Sequence, residues 1–277
     1  MHVMTRFLTR ACAVAAAGVA LSTVMVTAAS ASGGGSATTG PGAIGPAGLV
    51  AGRGGALLPA IKDQAISRIT AALANSRDFA GYQTPVPAGS PTSPATSAAT
   101  FTVPTLSCIT ATVAIAADAG VANNTTASIA GVFVGCVKGK AVYFPSLVAN
   151  GAEADYTGTR FSAGDVINLS ASVTTSGFTA QVTDVTKNVS VTNSITGAGA
   201  SANVAWVGDD SWFSSTGRLG VPNFGKLKFT NGLIDGTALQ TWNPQQWQRV
   251  NAKGIVQIAT GAFSPAPAAF ATYFKHS

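Results

Sequence analysis

The 277-residue chain carries 16 Lys and Arg against 10 Asp and Glu, and only 9% of its residues are charged. Past residue 31 one histidine remains, His276, and the one glutamate is Glu153. Histidine is the usual general base and metal ligand near neutral pH, so a Ser-His-Asp triad, a Cys-His pair and a His-rich zinc site are excluded, and no cofactor or metal is expected. The +6 net charge is scattered and partly N-terminal, with no Lys/Arg stripe, so nucleic acid is not an expected partner.

Arg6 and Arg10, an Ala/Val-rich run and the ending Ala29-Ser30-Ala31 form a secretory signal over residues 1–31. No later segment is long and apolar enough for a membrane helix, so a secreted chain without a stable membrane anchor is expected. Residues 32–56 are Gly/Ala-rich without periodicity and read as a flexible leader. Over 57–80, Leu58, Ile61, Ala65, Ile66, Ile69 and Leu73 recur at three-to-four-residue spacing, which predicts a short amphipathic helix. The Pro/Ser/Thr-rich stretch 81–100 reads as a linker.

The folded domain is expected over 101–277. Short β-branched or alternating runs, such as Thr112–Ile115, Ile129–Val137, Val166–Val173 and Phe178–Val185, are punctuated by Gly, Asn and Asp. That pattern, with no helical period between the runs, predicts an all-β fold, an antiparallel sandwich or barrel. Cleavage of the signal removes Cys12 and leaves Cys108 and Cys136, which in an exported chain are expected to pair.

Four segments in order, over about residues 101–240, resemble the glutamic peptidases, the eqolisin family. Phe101-Thr102-Val103-Pro104 resembles the family's opening strand, and Ser162-Ala163-Gly164-Asp165-Val166-Ile167 its "AGD" turn and strand. Asn203-Val204-Ala205-Trp206-Val207-Gly208-Asp209-Asp210 resembles "N-x-E-W-I-x-E-D", and Asn223–Asn231 resembles "D-F-G-x-V-x-F-T-N". The resemblance implies a jelly-roll-like, concanavalin-like sandwich with a substrate cleft on a concave face. It also implies a mechanism without histidine: a glutamate moves protons to and from a water, and a glutamine amide holds that water and donates to the oxyanion.

Carried over residue by residue, the family glutamate falls on Ala205, and the glutamine of the "Q-A-G" step falls on Ile129 in Ile129-Ala130-Gly131. Neither side chain can transfer a proton or hold a water, so no catalytic residue is retained. If that alignment holds, Ile129 and Ala205 face each other on one concave surface with Trp206 turned away. Substitute carboxylates are Glu153, read as a loop residue, and Asp209 and Asp210, read as solvated turn residues, with Gln181 as a candidate amide. Trp206, Trp212 and Tyr143 are candidate binding residues, a flat aromatic platform for peptide side chains or sugar rings. Three functions follow: a secreted eqolisin-like protein without peptidase activity that binds peptide or polymer; an active acid endopeptidase with a relocated carboxylate; or a polysaccharide or cell-envelope binding module.

Overall fold

The computed structural model describes residues 73–85, 96–123, 126–197, 202–214, 217–264 and 268–277. In chain order the strands are β1 (Ala74–Ser76), β2 (Phe79–Pro85), β3 (Thr96–Thr102), β4 (Val113–Ala122), β5 (Ala127–Val137) and β6 (Lys140–Ala149). Next come β7 (Ala152–Asp155), β8 (Val166–Thr174), β9 (Gly177–Asp184), β10 (Val189–Thr196), β11 (Val204–Ser211) and the short pair β12 (Phe213–Ser214) and β13 (Gly217–Arg218). The chain closes with β14 (Lys226–Ile234), β15 (Thr237–Ala238), β16 (Gln245–Val250), β17 (Val256–Thr260) and β18 (Phe270–Phe274).

One continuous path of hydrogen-bonded neighbours runs β10-β9-β8-β3-β14-β18-β17-β16-β2-β11-β4-β5-β6-β7. It folds back on itself into a sandwich, as the sequence predicts. Strand β8 pattern explains the stacking: Ile167, Leu169, Ala171 and Val173 are buried, while Val166, Asn168 and Ser170 are exposed. That period of two is a strand with one wet face. Its dry side meets Ala117, Ala119, Val121, Ala130, Val132, Ala205 and Val207 of the other layer in one large core. Small side chains on β4 let the layers approach closely, and two hydroxyls stitch them: Ser128 Oγ donates to the Thr179 carbonyl at 2.7 Å, and Ser97 Oγ to the Trp206 carbonyl at 2.7 Å.

The two ends of the path lie side by side. The Tyr156 hydroxyl donates to the Thr192 carbonyl of β10 at 3.0 Å, and Asn193 Nδ2 to the Ala152 carbonyl of β7 at 3.3 Å. Both edge strands are thereby partly covered.

The "AGD" segment is a turn with its own lock. Gly164 takes φ +94°, Asp165 Oδ2 accepts from the Ser162 amide at 2.6 Å, and Lys187 Nζ pairs with the same oxygen at 2.5 Å. Burial alone would raise the Asp165 carboxyl; the Lys187 and Ser162 donors hold it below the usual carboxylate range.

The expected boundaries need correction at the N-terminal side. Residues expected to end a helix and to form a linker include β1, β2 and most of β3, so the sandwich begins before residue 101. Phe79, Gly81 and Gln83 alternate with Ala80, Tyr82 and Thr84 on opposite faces, a period-two pattern hidden behind the Ile/Leu spacing that precedes it. Phe101 and Thr102 are therefore the end of β3 rather than the start of an opening strand, and Val103 follows it. The signal (1–31), the leader (32–56) and residues 57–72 of the expected helix lie outside the described residues. The C-terminal tail completes the sheet, with β16, β17 and β18 in its middle.

Candidate functional site

The register of β2, β11, β4, β5, β6 and β7 fixes which side chains share a face. Ala205 stands opposite Thr84 and Val121, and Val121 opposite Ser128. This set points between the layers, where Ala205 is fully buried in the main core. Trp206 stands opposite Gln83 and Gly120, Gly120 opposite Ile129, Ile129 opposite Val148, and Val148 opposite Glu153. This second set points away from the other layer. Ile129 and Ala205 therefore do not share a face, contrary to the expectation, and Trp206 is on the same side as Ile129. A motif match is blind to this difference, because one residue of slip turns a side chain through the sheet.

The outer face of this layer is built on missing Cβ atoms. A Cβ on Gly120 would lie 2.2 Å from Trp206 Cζ2, so the indole lies flat on that glycine. Phe79 uses Gly81 and Gly208 in the same way, and Phe133 uses Gly135. Trp206 Nε1 donates to Asp118 Oδ1 at 3.2 Å, which gives the buried carboxylate a partner and fixes the ring. Phe79, Ala122, Ala127, Ile129, Val148, Val204 and Trp206 form one cluster with Trp247 against it. A second outer cluster holds Phe133, Phe144 and Trp212, with the two phenyl rings stacked and the indole edge-on to both.

The substitute carboxylates separate. Asp209, Asp210 and Glu153 sit in strands β11 and β7 rather than in solvated turns. Asp209 lies on the Ala205 side, wholly buried; burial raises its carboxyl to about 7 and the Asp210 charge adds to this, while Thr272 and Arg249 oppose it. Asp210 and Glu153 lie on the outer face, and Glu153 Oε1 accepts from Ser146 Oγ at 3.2 Å. Gln181, the amide weighed as their partner, is exposed on β9 and donates to Thr192 Oγ1 at 3.2 Å.

The expected aromatic platform does not assemble. Tyr143 is on the inner face and its hydroxyl donates to the Pro104 carbonyl at 2.8 Å; Trp206 and Trp212 are on the outer side and buried. Cys108 and Cys136 are bonded, with Cα atoms 5.5 Å apart, and Cys136 is in the same strand as Ile129.

Sequence reasoning missed Asp118, Gln83, Gln245 and Arg249. Gln83 and Gln245 pair across β2 and β16, on the outer face beside Trp206. Arg249 is 1% exposed, donates from Nη2 to the Leu219 carbonyl at 3.2 Å, and is lowered to about 10 by burial and the nearby Arg218 charge. The signal available for Gln83 was the alternation of β2; for Arg249 there was none, since an isolated arginine reads as surface. Among the described residues no group of three His, Cys, Asp or Glu is placed to hold a metal.

A paired-strand sandwich with these elements is the frame of a glutamic-type peptidase. The Peptidase A4 family model matches residues 79–262, well over half of the chain, and the chain belongs to that family. The fold is similar to scytalido-glutamic peptidase bound to a transition state analog inhibitor, with TM-score 0.59, 17% identity, and coverage of 72% of this chain and 99% of that one. It is also similar to SCP-B, a member of the eqolisin family of peptidases in complex with the tripeptide Ala-Ile-His, with TM-score 0.57, 16% identity and the same coverage. No curated protein matches by sequence.

Proposed function

We propose that the protein is an exported eqolisin-like sandwich without peptidase activity. One observation carries this reading. The row that holds Ile129 has Trp206 from β11, and its only amide and carboxylate side chains on β2 through β7 are Gln83 and Glu153, at opposite ends. Five strand spacings separate them, about 24 Å along the sheet. A carboxyl group and an amide acting on one water must each be within hydrogen-bonding reach of it, about 3 Å. Asp118 is nearer to Gln83, but two strands and two residues still separate them, about 12 Å along the sheet, and the Trp206 ring lies between. Neither alignment of the motif helps: with Ala205 or with Trp206 as partner to Ile129, the pair has no ionisable group.

Export is supported by the N-terminal signal and by the Cys108–Cys136 bond, which persists in oxidising compartments. Peptide is the ligand class this reading carries forward, because the similar SCP-B structure holds a tripeptide. A polysaccharide platform has lost its support, since Tyr143 and Trp212 are buried on different faces.

A casein and peptide-library assay from pH 2 to 7 on the secreted chain tests the reading. No cleavage above background is expected. Reproducible cleavage abolished by Asp118→Asn, Asp210→Asn or Glu153→Gln would overturn it.

A further inference from the structure

Lys187 stands in a ring of oxygens. Its Nζ lies 2.5 Å from Asp165 Oδ2, 3.1 Å from Ser162 Oγ, 3.4 Å from the Arg160 carbonyl and 3.8 Å from Asp184 Oδ2. Three of these oxygens belong to the turn before β8 and the fourth to the last residue of β9, so the ammonium joins two separate segments. The Asp184 side chain is 0% exposed and that of Asp165 7%, whereas that of Lys187 is 38% exposed. Asp184 Oδ2 accepts no hydrogen bond among the described residues. Two carboxylates thus face one ammonium, and a buried oxygen is left over, which is costly unless a cation or donor meets it.

The oxygens do not owe their positions to the ammonium. Asp165 Oδ2 accepts from the Ser162 amide at 2.6 Å. The turn itself is tied to Val103 twice: the Val103 amide donates to the Asp165 carbonyl at 2.9 Å, and the Gly164 amide to the Val103 carbonyl at 2.9 Å. Asp184 Oδ1 accepts from the Lys187 backbone amide at 3.0 Å, a bond that survives when the side chain swings away. A lysine head on a flexible stem, more than a third exposed, can leave for water while the cage stays.

We propose that this cage is a site for a divalent cation of the calcium class, and that Lys187 fills it in competition with that ion. Two carboxylates, a hydroxyl and a carbonyl are the hard oxygen donors that calcium takes. Calcium binds about six to eight oxygens at roughly 2.3–2.6 Å, so four from the chain leave room for water on the open side, and the Arg160 and Asp184 oxygens close in by about 1 Å. A dication balances both carboxylates, which the ammonium does not. The exchange is a calcium response built into the "AGD" turn. It stands whether or not the sandwich cleaves peptides, so a positive protease assay leaves it untouched.

Calorimetric titration with calcium chloride tests it on the full chain after chelator treatment, in the unaltered form, in Lys187→Met and in Lys187→Met/Asp184→Asn. Lys187→Met should bind one calcium per chain at least tenfold more tightly than the unaltered protein, and should melt higher with calcium than without. The double variant should lose both effects. A second measurement uses the unaltered chain alone. Calcium should speed acylation of the Lys187 amine at least twofold over sodium chloride of equal ionic strength, with the exposed Lys253 as internal control. A folded Lys187→Met that takes no calcium would overturn the proposal, as would calcium binding that persists undiminished in the double variant. So would a Lys187 acylation rate that calcium leaves unchanged.

Discussion

Trp206 and Ile129 stand on the same face of the sheet with only Gly120 between them, and the indole occupies the space that a side chain on that glycine would need. The relationship ties three strands together at the position where the family chemistry was expected. It also defines what each strand can tolerate.

Gly120→Ala should destabilise the fold by about 2–4 kcal/mol, because the new methyl carbon meets a packed ring held by Asp118 and cannot be accommodated by a flexible chain end. Urea unfolding followed by tryptophan emission measures this. A loss under about 0.5 kcal/mol would mean that the indole does not lie on Gly120.

Installing the family pair by motif, Ala205→Glu with Ile129→Gln, should yield no acid-dependent peptidase. The new carboxylate would point between the layers, into a core that includes Val121 and Val207, and burying it unpaired should cost several kcal/mol. A folded double variant that cleaves peptides at acid pH would place Ala205 on the outer face instead.

Asp209 should make the protein an acid-favoured fold. Its carboxyl is raised in the folded state from the ordinary 3.8 to about 7. The neutral form is the one burial tolerates, so this contribution to stability is fully present below about pH 4 and is lost as the pH rises through 7. The shift bounds the loss at about 4 kcal/mol. Asp209→Asn should remove most of that pH dependence and raise the melting temperature at pH 8. Asp165, held below its ordinary value by Lys187, acts in the opposite sense at the acid end: its contribution is present above about pH 4 and fades as pH falls through its lowered value. Melting profiles of Asp209→Asn and Lys187→Met from pH 2 to 8 separate the two slopes.

Reducing Cys108–Cys136 should lower stability by about 3–4 kcal/mol, from the loop of separation 28 that it closes, without changing the strand content. Circular dichroism with and without reductant reads both quantities. Labelling of both Cys108 and Cys136 thiols in the native protein would contradict the bond.

Much of the sandwich was legible because strand pairing leaves local marks. The β8 and β9 runs alternate, the Gly164-Asp165 turn carries its own lock, and past residue 31 the sequence has two cysteines, Cys108 and Cys136. The residues that escaped are those whose meaning is set by distant strands. Phe79–Pro85 reads as the end of a helix and the start of a linker until β11 and β16 flank it. The motif picks out Ala205 and Ile129, but which face each takes depends on the registers of β11 on β4 and of β4 on β5, which sequence spacing does not set, and those registers put the two on opposite faces. Asp209 looks like a turn carboxylate because its neighbours Asp210 and Gly208 are turn formers; β4 and β2, pairing on either side, make it a buried strand residue.

The order of the sheet also has a consequence for when it can form. The group β10, β9, β8, β3 and β14 and the group β2, β11, β4, β5, β6 and β7 are joined along the path only through β18, β17 and β16, which follow both groups in the chain. A chain that stops short of residue 245 lacks the three strands that join the two half-sheets edge to edge. Closure then waits on pairings between residues far apart in sequence, such as Phe229 with Phe270 and Tyr82 with Gln246, a topology that folds slowly. A polypeptide of this design can join its two half-sheets edge to edge only once the residues of β16, β17 and β18 have been added.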